Sequence, residues 1–299
     1  MDKKELAIKY INRQSGAVEL EKVPGNKMLR YLYHTSMGRL SLYALVKRKF
    51  FTSALGCLID RRFSLKWVPG FIENHQLDTQ EFLKDPKEFT SFNDFFYRKL
   101  KPGSRPVQDG LVSPADGKIL AFEKMGHASK FFVKGNKFGI QDFLKDDILA
   151  EKYQGGSMII IRLAPSDYHR FHFPASGQVG ETHPIKGHYY SVSPMALKKS
   201  IKIFCQNKRE YCILNSTDMG DILMCEVGAT MVGSILQTYS PNSTVERGEE
   251  KGYFAFGGST IVLLFEPGKV KIDADLLQNT EQGYETTVLM GEKIGSPVQ

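Results

Sequence analysis

Two glycines and two hydroxyl residues, Gly257-Gly258-Ser259-Thr260, separate the apolar runs Phe254-Ala255-Phe256 and Ile261-Val262-Leu263-Leu264-Phe265. Glycine opens backbone conformations closed to residues with a Cβ. A serine directly after such a pair can bring its Oγ onto the Gly258 carbonyl and cut its own chain. The hydroxyl adds to that carbonyl, the acyl group moves from nitrogen to oxygen, and elimination of the ester frees a carboxylate on Gly258. The same four residues also make an ordinary polar hairpin tip. Taken alone, the motif leaves both readings open.

An unactivated serine hydroxyl is a weak nucleophile and needs a base beside it. Two segments offer partners. Pro165-Ser166-Asp167-Tyr168-His169-Arg170-Phe171-His172-Phe173-Pro174 holds two histidines, and Ser113-Pro114-Ala115-Asp116-Gly117-Lys118 holds an acid. Imidazole titrates near neutral pH, so it accepts and returns protons under working conditions. A carboxylate such as Asp116 can fix the tautomer of a histidine and stabilise its charged form. Plainer readings stand beside these. A histidine between two phenylalanines, as His172 is, is commonly a core residue, and Asp before Gly is a good turn former. His169 and His172 share a face in a helical turn but point apart in a strand. A His-x-x-His metal pair is the rival use; no Cys pair or His-Glu-x-x-His motif completes it, so no metal is expected.

Taken together, three segments in this order carry a resemblance: Pro-Ala-Asp-Gly at 114–117, Tyr168 to Pro174, and Gly248 to Thr260. Phe95-Phe96-Tyr97-Arg98-Lys99-Leu100-Lys101-Pro102-Gly103-Ser104-Arg105-Pro106 adds a fourth. From about Phe92 to the C-terminus the chain resembles the pyruvoyl-dependent phosphatidylserine decarboxylases. One departure is Gly257, where many members have Leu; it keeps the Gly-Ser bond. The resemblance implies self-cleavage between Gly258 and Ser259 into a large fragment, 1–258, and a small one, 259–299, which stay together as a heterodimer. It implies that Ser259 becomes a pyruvoyl group, the only cofactor. That group takes the amine of phosphatidylserine as a Schiff base, releases CO₂ and yields phosphatidylethanolamine. By the same resemblance Asp116, His172 and Ser259 are the catalytic set: His172 is the base for Ser259, and Asp116 accepts a hydrogen bond from His172. His169 contacts substrate. A pyruvoyl decarboxylase of another serine-headed lipid and a non-catalytic β-rich lipid-binding module with an uncut hairpin are the alternatives.

The elements that must position these residues follow from pattern and charge. Residues 1–70 hold 14 Lys and Arg against 5 Asp and Glu, while residues 71–299 hold 26 against 28. The basic character of this 299-residue chain, net +7, thus belongs to its N-terminal segment. Leu29, Leu32, Tyr33, Leu40, Tyr43 and Ala44 recur there at helical spacing, followed by Lys47-Arg48-Lys49 and Arg61-Arg62. A basic amphipathic helix suits an anionic membrane surface; no nucleic-acid motif accompanies the charge, so no nucleic-acid partner is expected. No apolar stretch approaches the roughly 20 residues that span a bilayer, and the first residues lack the apolar core of a signal peptide. Cys57, Cys205, Cys212 and Cys225 have no Cys-x-x-Cys spacing and read as reduced thiols. The expected location is peripheral, on the cytoplasmic side of the cell membrane.

The expected fold is α+β: a basic, mainly helical membrane-associating region over 1–90 and an antiparallel β-rich catalytic core over 91–299. A hairpin arm is expected within residues 1–24. Helix starts are expected at Thr79 and Ser91, where a hydroxyl precedes an apolar-periodic run. Short strands are expected from Leu111 onward, Ile201–Cys205 among them, with helical insertions at Ile140–Leu149 and Pro194–Lys199.

Overall fold

The computed structural model of this chain describes residues 9–21, 58–125, 139–188, 190, 202–228, 234–255, 257 and 259–298. The helical stretch expected before residue 58, the insertion expected at Pro194–Lys199, Cys57 and the expected cleavage-site residue Gly258 lie outside the described residues.

Strands dominate from Leu111 onward. In chain order they are β1 (Lys9–Ile11), β2 (Val18–Leu20), β3 (Leu111–Val112), β4 (Gly117–Phe122), β5 (Met158–Leu163) and β6 (Arg170–His172). Then follow β7 (Gly177–Val179), β8 (His183–Ile185), β9 (Arg209–Ser216), β10 (Gly220–Gly228), β11 (Ile235–Gln237) and β12 (Ser243–Val245). The last are β13 (Glu250–Phe254), β14 (Ser259–Phe265), β15 (Val270–Ile272), β16 (Glu285–Val288) and β17 (Lys293–Pro297). An 11-stranded sheet runs β12-β7-β9-β10-β14-β5-β4-β16-β1-β2, with β8 beside β9; β11-β13-β6 and β15-β17-β3 form two small sheets. Among the described strands only β1 on β16 is a parallel pair.

The order of the sheet follows from where the apolar residues are concentrated. Strands covered on both faces read as unbroken apolar runs. Met158-Ile159-Ile160-Ile161 and Ile261-Val262-Leu263-Leu264-Phe265 are such runs, and every residue of β5 and β14 is buried. They pair with each other at the centre of the sheet, and β10 closes the other edge of β14. The N-terminal hairpin, with alternating Val18-Glu19-Leu20, adds β1 and β2 at the far edge.

Between residues 58 and 110 the described elements are helical. A 3₁₀ helix, Arg62–Trp67, leads into α1 (Val68–His75), and α2 (Phe92–Phe96) follows. Ser91 caps α2 by accepting from the Asp94 amide, as its position suggests. The turn at Thr79 is only a 3₁₀ helix, Thr79–Glu81, capped by Asp78. Phe82, Phe89, Phe92, Phe95 and Phe96 make a second apolar cluster, with ring pairs such as Phe89–Phe95 edge to face at 5.6 Å.

Some elements differ from the pattern reading. The Ile140–Leu149 insertion is two helices, α3 (Ile140–Leu144) and α4 (Asp147–Tyr153), broken at Lys145 with φ 56°. Ile201–Cys205 reads as a strand, yet Lys202–Gln206 is a helix, α5. The cause lies downstream: Arg209 donates Nη1 to the Cys205 and Asn207 carbonyls at 2.9 and 2.7 Å and so satisfies the helix end. A last helix, α6 (Ala274–Glu281), lacks a clear apolar stripe; only Leu276 and Thr280 are buried on it.

One buried ion pair ties the small sheet to the large one. Lys251 lies on β13, and Gly252 and Glu250 on either side of it pair with Phe171 and His172 of β6. Its Nζ donates to Glu226 Oε2 of β10 and to Gln237 Oε1, both at 2.8 Å. Lys251 and Glu226 are fully buried. Removing one partner of such a pair strands a charge and costs about 3–5 kcal/mol, whereas replacing both with apolar residues can be near neutral. Lys251→Met alone is therefore expected to destabilise by about that amount in urea unfolding, and Lys251→Met with Glu226→Leu to recover most of it. A double variant as unstable as the sum of the two single ones would contradict this view of the pair.

Candidate active site

Ser259 is the first residue of β14, set between Leu163 of β5 and Gly228 of β10, and is fully buried. A buried hydroxyl needs a partner. Here Ser259 Oγ lies 3.3 Å from Nδ1 of His169. The other ring nitrogen, Nε2, lies 3.1 Å from the Ala164 carbonyl oxygen. A carbonyl only accepts, so Nε2 carries the proton and Nδ1 turns its lone pair to the hydroxyl. Burial, and after it the charge of Arg98, push His169 down to about 3. The imidazole is neutral at working pH and set to receive a proton from Ser259.

The loop before His169 is held from several sides. The Ala164 amide donates to Asp167 Oδ2 at 2.7 Å, and the Asp167 amide to the Ala164 carbonyl at 2.9 Å. Arg98 Nη2 donates to the Ser166 carbonyl at 3.1 Å. Phe96 stacks on the His169 ring with centroids 3.9 Å apart. The helical layer thus forms one wall of the site.

His172 ends β6, which begins one residue after His169, and faces a different set of groups. Its Nδ1 donates to the Gly248 carbonyl at 3.0 Å, which leaves Nε2 to accept from the Tyr168 hydroxyl at 3.3 Å. Burial lowers its pKa, and the Gly248 carbonyl works the other way. Gly248 has φ +83°, and a Cβ there would lie 2.5 Å from Val107. The expected base for Ser259 was His172; in this structure the hydroxyl meets His169 instead.

Asp116 is also buried, and its expected hydrogen bond with His172 is not made. Arg105 Nε and Nη2 clamp its carboxylate at 2.8–3.1 Å, and the Met290 amide donates to Oδ1 at 2.8 Å. Burial disfavours the ionised acid, and these donors favour it. The link between the two motifs runs through backbone: the His172 amide donates to the Pro114 carbonyl at 2.8 Å.

Thr260 Oγ1 is buried and has no hydrogen-bond partner among the described residues. Strand alternation turns it to the face opposite Ser259. Gly257 has φ +139°, a conformation that Leu would rarely adopt. Arg170 is an ion-pair residue, with Nη1 2.7 Å from Glu250. Arg105, Phe96 and Ala164 carry no expected role in the sequence. Arg105 and Phe96 lie in the segment from Phe95 to Pro106, but nothing in their spacing named their partners. Among the described residues no group of three or more His, Cys, Asp and Glu side chains is placed to hold a metal.

Comparisons with known proteins agree with the motifs. A family model described as phosphatidylserine decarboxylase matches residues 92–296. A phosphatidylserine decarboxylase proenzyme of Fusobacterium nucleatum is 49% identical over 292 residues, 97% of this chain and 97% of its own. One from Desulfitobacterium hafniense is 49% identical over 291 residues, 96% of this chain and 98% of its own. One from Ruminiclostridium cellulolyticum is 47% identical over 292 residues, 97% of each chain. A solved glucose permease IIA from Mycoplasma capricolum aligns at 12% identity with a TM-score of 0.27, over 62% of this chain and 94% of its own, which carries no argument.

The buried imidazole has a pH signature. Between about pH 6.5 and pH 3 the unfolded chain protonates His169 and the folded chain does not. Stability therefore falls as pH drops through that window. His169→Gln, which cannot titrate there, is expected to lose less stability than the unaltered protein in thermal melts between neutral and mildly acidic pH. Identical losses would show that His169 is not held neutral.

Proposed function

The chain belongs to the phosphatidylserine decarboxylase family, and from that membership we propose that it is a proenzyme that cuts itself at Ser259 and then decarboxylates phosphatidylserine to phosphatidylethanolamine. It is a carboxy-lyase of phospholipid biosynthesis. The observation that carries the self-cleavage is the Ser259 hydroxyl 3.3 Å from the lone pair of a buried neutral His169. His169 takes the hydroxyl proton as Oγ adds to the Gly258 carbonyl. The acyl group passes to oxygen; loss of the Ser259 α-proton then expels Gly258 as a carboxylate. Water releases ammonia from the remaining fragment and leaves a keto group at position 259.

His172 and Asp116 complete the proposed catalytic set. His172, with Nε2 on the Tyr168 hydroxyl, is a second proton carrier for the elimination and for the α-carbon of the product. Asp116, clamped by Arg105, holds the turn whose Pro114 carbonyl receives the His172 amide. The site suits a pyruvoyl group, because Ser259, from which the group is made, is sealed from solvent beside the neutral imidazole of His169. When formed, the group supplies an electron sink for loss of CO₂. A dry surrounding favours departure of a neutral gas.

Fragments 1–258 and 259–299 would remain associated. The small one contributes β14 at the centre of the sheet, buried along its whole length. For the location, no described helix is long and apolar enough to cross a membrane. Leu58, Phe63 and Trp67 are 43–46% exposed in a stretch that also holds Arg61, Arg62 and Lys66, and the Phe63 and Trp67 rings touch at 5.9 Å with Lys66 over both. An apolar patch with a basic surround suits peripheral docking on an anionic bilayer. The basic region 1–90 would hold the enzyme at the cytoplasmic face.

Release of labelled CO₂ from carboxyl-labelled phosphatidylserine in mixed micelles tests the reaction. Ser259→Ala is expected to lose it entirely, and His169→Ala to slow maturation a hundredfold or more. Release by the Ser259→Ala protein would overturn the reading. Phe63→Ser with Trp67→Ser is expected to weaken co-sedimentation with anionic vesicles about tenfold or more while leaving self-cleavage intact. Unchanged co-sedimentation would remove this face from the membrane.

A further inference from the structure

Arg98 is a buried guanidinium without a counter-ion. It is 5% exposed and has no carboxylate within ion-pair distance among the described residues. Nη2 donates to the Ser166 carbonyl at 3.1 Å and more weakly to that of Asp167 at 3.5 Å. Nε and Nη1 are buried and have no hydrogen-bond partner among the described residues. The Phe82 and Phe95 rings lie 4.9 and 5.2 Å from the guanidinium carbon. They attract the cation through their faces but leave its in-plane N–H groups unsatisfied. A buried charge in this state is costly unless something else completes it.

Arg98 lines a cleft of about 120 Å³ together with Leu83, Lys84, Asp94, Tyr97, Lys99 and Arg170. Asp94 is occupied by Lys84 at 3.4 Å and by the Thr90 amide at 3.0 Å. Arg170 is matched by Glu250 at 2.7 Å. Among the described residues Arg98 and exposed Lys99 are left as unmatched positive charge. Leu83, 51% exposed, gives the cleft an apolar edge. Arg98 links the cleft to the loop of the reacting centre, since its Nη2 holds the Ser166 carbonyl three residues before His169. An anion joined to an apolar chain on one side and a reacting amine on the other fits these surroundings.

We propose that the Arg98 cleft binds the phosphodiester of the substrate headgroup, with the guanidinium as its principal contact and Lys99 as a second. This rests on the decarboxylase reading for the identity of the lipid. The substrate's carboxylate is the less suitable occupant. It must lose its charge as CO₂ departs, and a guanidinium on it would stabilise the ground state against the transition state. The phosphodiester keeps its charge throughout.

Two soluble probes separate these anions in calorimetric titrations of the mature protein. Glycerophosphoethanolamine has the phosphodiester without a carboxylate; free serine has the carboxylate without a phosphate. Arg98→Gln is expected to weaken glycerophosphoethanolamine about tenfold and to leave serine unchanged. Its KM for phosphatidylserine should rise by a similar factor. Lys99→Gln, at an exposed position that leaves folding intact, should weaken the phosphodiester probe by a smaller factor. It decides the matter if Arg98→Gln does not fold. Unchanged phosphodiester binding in the folded variants, or Arg98-dependent binding of serine alone, would overturn the proposal. Phosphodiester binding that depends on Arg98, in a protein that never releases CO₂ from phosphatidylserine, would sink the decarboxylase reading and leave the anion site standing.

Discussion

A hydroxyl sealed at the head of a central strand must find its hydrogen bond inside the protein. For Ser259 the partner is Nδ1 of His169, and much of the surrounding structure serves to hold that contact. The ring can accept only because its other nitrogen is committed to Ala164. Ala164 is in place because Asp167 bonds its amide, and the next carbonyls are held by Arg98. Each step is local, and each removes one alternative for the imidazole: its tautomer, its orientation, then its charge.

The strand itself is held by burial. β14 lies between β5 and β10, and its side chains are enclosed on both faces. Cutting the chain before such a strand removes one covalent link and few contacts, so a self-cleaving turn is compatible with a stable product. The small sheet carrying β6 is coupled to this core by Lys251 and Glu226, a pair with no exposure to water. Buried ionic contacts add little net stability but penalise misplaced arrangements. Here the penalty falls on any shift of β13 relative to β10, the strands beside the two histidines and Ser259.

Much of the fold is legible in the chain. The unbroken run Ile261 to Phe265 marks a doubly covered strand, Ser91 marks a helix start, and the alternation around Val18 marks the N-terminal hairpin. Less legible are features decided at a distance. Lys202–Gln206 is helical because Arg209 receives its end, which no local propensity reports. The three motifs do meet in space, but their side-chain partners were not readable. The spacing of His169 and His172 does not say which one faces Ser259. Asp116 went to Arg105, a residue 11 positions upstream whose fork geometry outcompetes a single imidazole N–H.

Activity depends on a peptide bond that the protein converts into its own reactive carbonyl. Intact-mass analysis of the purified wild-type chain tests this most directly. The expected result is a fragment ending at Gly258 and a second beginning at residue 259, lighter than the encoded peptide by the mass of ammonia and unreactive in N-terminal sequencing. A full-length chain that turns over substrate, or a second fragment that keeps its serine amine, would contradict it.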